Sequence, residues 1–247
     1  TTDVINLVTY YRFIAPYILA DLNIAKILYL DVDMLCVGDI KKLFDIELKD
    51  NIAYTVKDPT DIAMKKYCES IGADSDNYFN AGMLLINVQR YVEEDIGQKA
   101  ICLLKKKKYY FMDQDVLNIL MKNKVIADIK IDYNCTMSTR NNAFKNNKNK
   151  PKLIHFTMSR KPWKIYTSMW GGRRLAADDD YSWKYSYYKL WREYNKKSPW
   201  KDIPFDKPQN YTEWRYLAEM YKKVGKYNSA VKAYFKYIKS KYFKEQS

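Results

Sequence analysis

Short apolar runs alternate with helix-like segments over roughly the first 160 residues of the chain. The runs KILYLDVD (26–33), IAYTV (52–56), FNAGMLLINV (79–88) and KLIHF (152–156) have the length and composition of strands. Residues 6–22 and 113–123 repeat apolar residues at helical spacing, with Leu7, Tyr11, Ile14 and Ile18 on one face of the first segment. This alternation predicts an α/β fold with a parallel sheet, in which the first strand is buried on both faces.

The composition changes at about residue 170. Residues 181–197, from Tyr181 to Lys197, predict a basic, aromatic helix, and prolines at 199, 204 and 208 indicate a linker. The spacing of aromatic and small residues over 214–234 resembles one tetratricopeptide repeat, a helical hairpin that packs on the chain or a partner, or only caps the domain. We therefore expect three regions: 1–170, 171–208 and 209–247.

Two carboxylates follow the first apolar run directly. Residues i and i+2 of a strand point the same way, so Asp31 and Asp33 are expected to project from one face. Two like charges this close repel each other unless a cation lies between them. Oxygen ligands favour Mg²⁺ or Mn²⁺, but the D-x-D pattern occurs often by chance, and the alternative is a solvated strand end.

The charge balance points to anionic partners. The chain has 43 basic and 29 acidic residues, a formal charge of +14, as expected for a protein that binds phosphates, acidic membrane surfaces or nucleic acid, or for one from a lysine-rich proteome. Four cysteines without C-x-x-C spacing argue against a zinc cluster and favour a reduced, cytosolic setting. No apolar run reaches membrane-spanning length, and a chain that begins with Thr1 is expected to lack an earlier segment.

Five ordered motifs carry a specific resemblance. The stretches YLDVDML (29–35), VKD (56–58), YFNAGMLLIN (78–87), MDQDVLN (112–118) and HFTMSRKPW (155–163) together resemble glycosyltransferase family 8, most specifically its bacterial lipopolysaccharide galactosyl- and glucosyltransferases. The resemblance runs from about Thr9 to Trp163. It implies an α/β fold of the GT-A nucleotide-diphospho-sugar transferase type, with a Rossmann-like mixed sheet, followed here by a C-terminal α-helical extension. It also implies a UDP-sugar donor and retention at the anomeric carbon.

The resemblance assigns roles to individual residues. It implies that Asp31, Asp33 and His155 bind the metal, and an imidazole among carboxylates favours Mn²⁺ over Mg²⁺, although a lone histidine is more often structural. Lys161 resembles the lysine that grips the donor diphosphate, and Arg12 either assists it or is a surface arginine. The remaining donor-binding residues implied by the resemblance are Val32, Asp58, Asn80, Ala81, Gly82, Asp113, Gln114 and Met158.

The mechanism follows only in part from these assignments. The resemblance implies catalytic roles for Asp113, Gln114 and Asp115, with Gln114 beneath the reacting carbon, whereas the same D-Q-D stretch could simply cap a helix. Retention normally requires a carboxylate nucleophile, and an amide is a poor one. Front-face attack by the acceptor and a nucleophilic Asp115 therefore both stay open.

Two departures from the family pattern affect these expectations. Met158, Ser159 and Arg160 replace the family's usual glycine-proline stretch, so Arg160 is expected to add charge near the phosphates. The family's first strand and helix, which build the base and ribose pocket, have no counterpart in the sequence. We expect that this N-terminal part lies outside the chain, because a sheet without its first strand has an unpaired edge.

Two other functions compete with this interpretation. A haloacid-dehalogenase-like phosphohydrolase also places D-x-D after a strand, but it would carry Thr or Val where Leu35 stands. A non-catalytic glycosyltransferase-like scaffold would use the helical tail to bind a partner. The expected partners are a UDP-sugar donor, a saccharide or glycolipid acceptor and an anionic membrane contacted by helix 181–197, with no nucleic acid. The expected location is the cytoplasm, peripheral on the inner face of the membrane.

Overall fold

The computed structural model describes residues 10–136, 150–157, 161–167 and 182–243, with side chains from residue 187 onward in the last range. The described residues form two compact units. One consists of residues up to 135 together with 150–155, and the other consists of residue 136 and the residues from 156 onward. The predicted division of the chain at residues 170 and 208 stays a prediction.

The described strands form two small sheets. One has the order β1-β4-β3-β5 and the other the order β2-β7-β6. The strands are β1 (Lys26–Leu30), β2 (Met34–Cys36), β3 (Ala53–Lys57), β4 (Phe79–Asn87), β5 (Val125–Ile126), β6 (Cys135–Thr136) and β7 (Leu153–His155).

The strand pairing confirms a mixed sheet and corrects the expectation of a parallel one. Strand β4 pairs antiparallel with both β1 and β3, whereas β3 and β5 run parallel. Among the described strands β1 lies at the edge of its sheet and is half-buried throughout. The prediction that β1 is buried on both faces is therefore wrong, because an apolar run cannot reveal which strands will lie beside it.

Five helices of the first unit are described: α1 (Tyr11–Asp21), α2 (Ile62–Ile71), α3 (Val88–Glu93), α4 (Ile96–Lys106) and α5 (Asp113–Leu120). The helix predicted over 6–22 exists from Tyr11 onward, but its apolar stripe at Tyr11, Ile14 and Ile18 is exposed, and Leu7 lies outside the described residues.

The buried face of α1 contains Arg12, Phe13 and Pro16 instead. A Cβ atom added to Gly97 of α4 would stand 2.3 Å from the Phe13 carbonyl oxygen, so the backbones of α1 and α4 meet on this side. The close approach at Gly97, which the periodicity of α1 cannot show, decides which face is buried.

Strand β4 is mostly buried, and the alternation of its inward-facing residues shifts along its length. Phe79 and Ala81 lie in the same core cluster as Leu84 and Ile86, although odd and even positions of a regular strand face opposite sides. The pairing of β3 with β4 is irregular over the same stretch. This irregularity is typical of a β-bulge, and it falls at Asn80–Gly82, where the predicted donor-binding residues stand.

The second unit contains the helices α6 (Ser182–Asn195), α7 (Tyr211–Lys223) and α8 (Tyr227–Tyr242). The predicted basic, aromatic helix and the predicted helical hairpin are both present. Gly225 has a φ of 78° in the turn between α7 and α8, a conformation that favours glycine. Among the described residues, no helix combines the length and the apolar character needed to cross a membrane.

Candidate active site

The two carboxylates of the D-x-D motif lie in a turn rather than in a strand. Strand β1 ends at Leu30, and the Met34 N–H donates to the Asp31 carbonyl at 3.2 Å. The expectation that strand alternation aligns Asp31 and Asp33 is wrong, because the backbone turns immediately after β1. The turn nevertheless directs both side chains toward His155, whose Nε2 lies 3.1 Å from Asp33 Oδ1 and 3.7 Å from Asp31 Oδ2.

Strand pairing brings the histidine to the carboxylates. His155 ends β7 and stands opposite Met34 of β2, the residue that follows the turn. One ligand atom from each of Asp31, Asp33 and His155 lies within 4.8 Å of the others, and we call these three residues the metal cluster. Two carboxylates and one imidazole suit a divalent ion such as Mn²⁺.

The packing around the metal cluster fits a cation site. His155 is 3% exposed. A Cβ atom at Gly82 would stand 2.2 Å from His155 Cε1 and 2.9 Å from Asp31 Oδ2, so the backbone of β4 lies directly against the cluster. Because the carboxylates are drawn together beside this backbone, a positive charge between them would offset their repulsion.

Asn134 orients the histidine, a role that the sequence analysis did not predict. Its Oδ1 lies 3.0 Å from His155 Nδ1, and its amide donates to Asn80 Oδ1 at 3.0 Å. An amide oxygen accepts the Nδ1 proton of a neutral imidazole and leaves the Nε2 lone pair directed at the carboxylates. A single asparagine between Tyr133 and Cys135 belongs to no motif, so only the folded arrangement identifies it.

Arg12 is buried beside the metal cluster, which excludes the surface alternative. Its guanidinium pairs with Asp31 Oδ1 at 2.6 Å and Asp113 Oδ2 at 2.8 Å, and it donates to the Ala81 carbonyl at 2.9 Å. The Tyr29 hydroxyl also donates to Asp31 at 2.8 Å. Burial raises the pKa of Tyr29, which keeps this hydroxyl protonated. Arg12 therefore offsets part of the carboxylate charge at the cluster.

Gln114 connects the residues expected to surround the donor sugar. Its Oε1 accepts from the Asn80 amide at 3.1 Å and from the Ala81 N–H at 3.2 Å. Its Nε2 donates to the Tyr78 hydroxyl at 3.3 Å and to Asp58 Oδ2 at 3.5 Å. Asp58, Asn80, Ala81 and Gln114 thus lie together, and Gln114 is only half-buried.

Asp115 is fully enclosed by hydrogen-bond donors. It is 0% exposed, and it accepts from the Tyr78 hydroxyl at 2.6 Å, the Tyr67 hydroxyl at 2.5 Å and the Phe111 N–H at 2.8 Å. Burial raises the pKa of both tyrosines, so both remain donors. A carboxylate held in this way has no open path to a substrate, which favours Gln114 over Asp115 as the group facing the reacting carbon.

Neither aspartate of the D-Q-D stretch caps α5, so the expectation that this stretch is a helix cap is wrong. The residue before the helix is Met112, and Asp113 and Asp115 occupy the first turn without capping it. Asp113 is instead buried against Arg12, and burial raises the pKa of its carboxyl, an effect that the Arg12 charge opposes.

The remaining predicted site residues lie elsewhere. Val32 sits between the two cluster carboxylates in sequence and is 89% exposed. Lys161 belongs to the second unit, where its Nζ donates to the Phe156 carbonyl at 2.6 Å. Met158 and its neighbours Ser159 and Arg160 lie outside the described residues. The proposed phosphate contacts of Lys161 and Met158 stay predictions.

Family models account for most of the chain. The glycosyl transferase family 8 model matches residues 1–167, and the model for the C-terminal region of the same family matches residues 185–241. The match to family 8 removes the basis for a haloacid-dehalogenase-like phosphohydrolase.

Characterised relatives are similar over most of the chain. The chain is 30% identical to the lipopolysaccharide glucosyltransferase WaaO of Escherichia coli, covering 93% of this chain and 66% of that protein. It is also 30% identical to a lipopolysaccharide 1,3-galactosyltransferase of Salmonella typhimurium, covering 94% and 67%. The chain therefore spans about two thirds of the length of these relatives.

Solved structures confirm the fold. The galactosyltransferase LgtC in complex with donor and acceptor sugar analogues matches with a TM-score of 0.55 and 28% identity, covering 69% of this chain and 66% of that one. The bifunctional glycosyltransferase WbbM matches with a TM-score of 0.60 and 22% identity, covering 90% and 38%. These likenesses confirm the predicted GT-A fold.

Proposed function

The chain belongs to glycosyltransferase family 8, and we propose that it is a retaining, metal-dependent glycosyltransferase that moves a hexose, galactose or glucose, from a UDP-sugar to a saccharide or glycolipid acceptor. The observation that carries the proposal is the metal cluster beside Arg12, Asp113 and Gln114. The names of the relatives support a hexose donor and an acceptor in lipopolysaccharide or surface glycan synthesis.

The metal cluster would hold the cation through Asp31, Asp33 and His155. We propose Mn²⁺, with Mg²⁺ as the alternative, because the ligand set contains an imidazole. When bound, the cation would offset the negative charge of the donor diphosphate. Arg12 holds Asp31 in position through its 2.6 Å ion pair and limits the net negative charge of the site.

The donor sugar would lie against the backbone and side chains around Gln114. Asp58 and Asn80 offer polar groups for sugar hydroxyls. Gln114 is held by hydrogen bonds at both ends of its amide. A fixed amide oxygen would stabilise the positive charge that develops at the anomeric carbon.

Retention follows from front-face attack in this proposal. Asp115 is enclosed by three donors, and the Gln114 amide is a poor nucleophile. The acceptor hydroxyl would therefore attack on the face that the diphosphate leaves, and the departing phosphate oxygen would take the hydroxyl proton. The sugar–phosphate bond breaks as the new glycosidic bond forms, which balances the transfer.

Thermal unfolding with Mn²⁺, with UDP and with both tests the donor site. A ligand at 100 times its Kd adds about 2.7 kcal/mol to the free energy of unfolding. We expect strong stabilisation only by the combination, and only with Asp33 intact, so Asp33→Asn is the matched control. Equal stabilisation of both proteins would overturn the metal-cluster assignment. Incubation with UDP-galactose or UDP-glucose, followed by NMR of the released or transferred sugar, then tests the hexose and its anomeric configuration.

Membrane contact is a separate part of the proposal. In α6 the buried Tyr188 packs against Phe156, and Trp191 packs against Trp163 and Phe205, so part of its aromatic face serves the core of the second unit. Exposed aromatic residues and lysines instead lie together on α8, including Tyr234 and Phe235. We propose that α8 contacts anionic lipid on the cytoplasmic side. Flotation with phosphatidylglycerol vesicles should decrease on truncation after Pro208, and undiminished flotation would contradict this role for α8.

A further inference from the structure

A cavity of about 430 Å³ opens on the first unit, and its lining includes no residue of the metal cluster. It lies between the C-terminal half of α2 and the loop that joins α4 to α5. We call it the aromatic cavity, and its lining includes Tyr67, Ser70, Lys107, Lys108, Tyr109 and Tyr110.

One wall of the aromatic cavity is a fixed aromatic shelf. The Tyr110 ring is 78% exposed, yet it stands edge-on to the Phe111 ring at 4.7 Å and to the Tyr67 ring at 6.1 Å. The Tyr110 N–H also donates to the Tyr67 hydroxyl at 3.0 Å, which ties the loop to α2. An exposed aromatic side chain with an apolar body and a polar tip suits the apolar face and the hydroxyl groups of a sugar ring.

The other wall is positively charged. Lys107 and Lys108 are exposed, and neither forms an ion pair with any residue that the structure describes. The Lys107 ammonium lies 5.2 Å from the ring of Tyr109, which also lines the cavity. The residues that line the cavity include no acidic side chain. Two lysines that line one cavity without carboxylate partners favour a ligand that carries an anionic group.

Hydrogen bonds connect the aromatic cavity to the candidate active site. The Tyr67 hydroxyl at its edge donates to Asp115, the residue after Gln114. On the other side of Gln114 in the sequence, Asp113 contacts Arg12, which contacts Asp31 of the metal cluster. The first turn of α5 therefore has contacts that lead to both the metal cluster and the aromatic cavity.

From this arrangement we infer that the aromatic cavity is an acceptor subsite for a saccharide that carries a phosphate or carboxylate group. A sugar ring would stack on Tyr110, and its anionic group would pair with Lys107 and Lys108. This inference rests on the proposed function, because it supplies the acceptor for the same transfer. The positive charge of the cavity wall restricts the expected acceptors to saccharides that carry an anionic group.

Binding can be measured without any turnover. Saturation-transfer NMR titrations would compare glucose, glucose 6-phosphate, glucuronic acid and inorganic phosphate, in EDTA so that a cation at the metal cluster cannot contribute. The test variant is Lys107→Gln/Lys108→Gln. The matched control is Lys105→Gln/Lys106→Gln, which removes the same charge from the preceding residues of α4. Tyr110→Ala tests the shelf, and thermal unfolding checks that each variant is folded.

We expect glucose 6-phosphate to bind the wild-type protein at least about 5-fold more tightly than glucose, as two partly exposed charge contacts would give. Of the two double-lysine variants, only Lys107→Gln/Lys108→Gln should abolish this preference. Tyr110→Ala should weaken the binding of every sugar. Preference for glucuronic acid as well would assign recognition to any anionic group, and its absence would assign it to phosphate.

Three results would overturn the inference. They are no preference for the anionic sugars, an equal loss of that preference in both double-lysine variants, or binding of inorganic phosphate as tight as that of glucose 6-phosphate. Hydrolysis of the UDP-sugar by water is measured separately on the same proteins, with Mn²⁺ and without EDTA. If hydrolysis is absent while the anionic sugar binds, the proposed function fails and the sugar site remains. If hydrolysis occurs without sugar binding, the subsite alone fails.

Discussion

Replacement of Asn134 by leucine should weaken metal binding although Asn134 is not a metal ligand. The Asn134 side chain accepts from His155 Nδ1 at 3.0 Å and is 1% exposed, so water cannot take its place. Leucine has a similar volume but no acceptor, which leaves the imidazole free to rotate or to change tautomer. Loss of such a partner typically reduces metal affinity by about 10- to 100-fold, equivalent to about 1.4–2.7 kcal/mol.

The same substitution also affects folding stability. A buried Nδ1–H without an acceptor costs about 1–3 kcal/mol, whereas Asn80 Oδ1 loses the Asn134 amide but retains the Gly82 N–H at 3.1 Å. Thermal unfolding in EDTA measures this loss without metal. Isothermal titration with Mn²⁺, at a temperature where the variant is folded, then measures the metal affinity by itself.

Asn134→Asp is the matched control. Its carboxylate can still accept from His155 Nδ1, but it cannot donate to Asn80, so the two hydrogen bonds are tested separately. We expect its Mn²⁺ affinity to stay within about 3-fold of the wild-type value, because a carboxylate beside a ligating histidine raises the basicity of the imidazole. Tight Mn²⁺ binding by the leucine variant, or equal loss in both variants, would refute the orienting role of Asn134.

Three further predictions concern the same site. Gly82→Ala should reduce Mn²⁺ affinity and cost about 1–3 kcal/mol in unfolding free energy, because its Cβ would stand 2.2 Å from His155 Cε1; an alanine variant that unfolds and binds Mn²⁺ like the wild type would contradict this packing. Asp33→Asn should reduce metal-dependent turnover at least about 100-fold in a UDP-release assay, and full activity would count against the metal cluster. Asp115→Ala should lower the free energy of unfolding by about 2–4 kcal/mol in urea titrations, because it leaves buried donors unpaired, and a loss below about 0.5 kcal/mol would show that these hydrogen bonds contribute little.

The apolar periodicity predicted where strands and helices lie better than it predicted which of them pack side by side. The strands at 53–57 and 79–87 and the helix at 113–120 lie where the apolar pattern places them. The pattern could not show that β4 runs antiparallel to both neighbours, because a strand buried on both faces looks the same in either direction. It also missed the buried face of α1, which depends on the contact with Gly97 of α4. Such contacts join residues far apart in sequence.

The sequence indicated the acidic and histidine residues of the site but not the residues that hold them in position. Asp31, Asp33 and His155 stand in motifs, and the structure brings them within 4.8 Å of one another. Asn134 and Tyr78 contact site residues only after folding, and their residue types are common in any chain. The buried position of Arg12 was equally hidden, since an arginine in an amphipathic helix usually faces water.

In the proposed mechanism, the D-Q-D motif places one residue that faces the sugar between two carboxylates that make structural contacts. Successive residues of a helix point about 100° apart, so the three side chains at the start of α5 face different parts of the molecule. Asp113 pairs with Arg12 and so connects α5 to the metal cluster, while Asp115 binds two tyrosines beside the aromatic cavity. Gln114 is left between them, fixed by β4 and Asp58. Because one helical turn determines all three positions, a shift of either carboxylate would move Gln114, and under the proposed function the flanking carboxylates would set the geometry in which Gln114 meets the sugar.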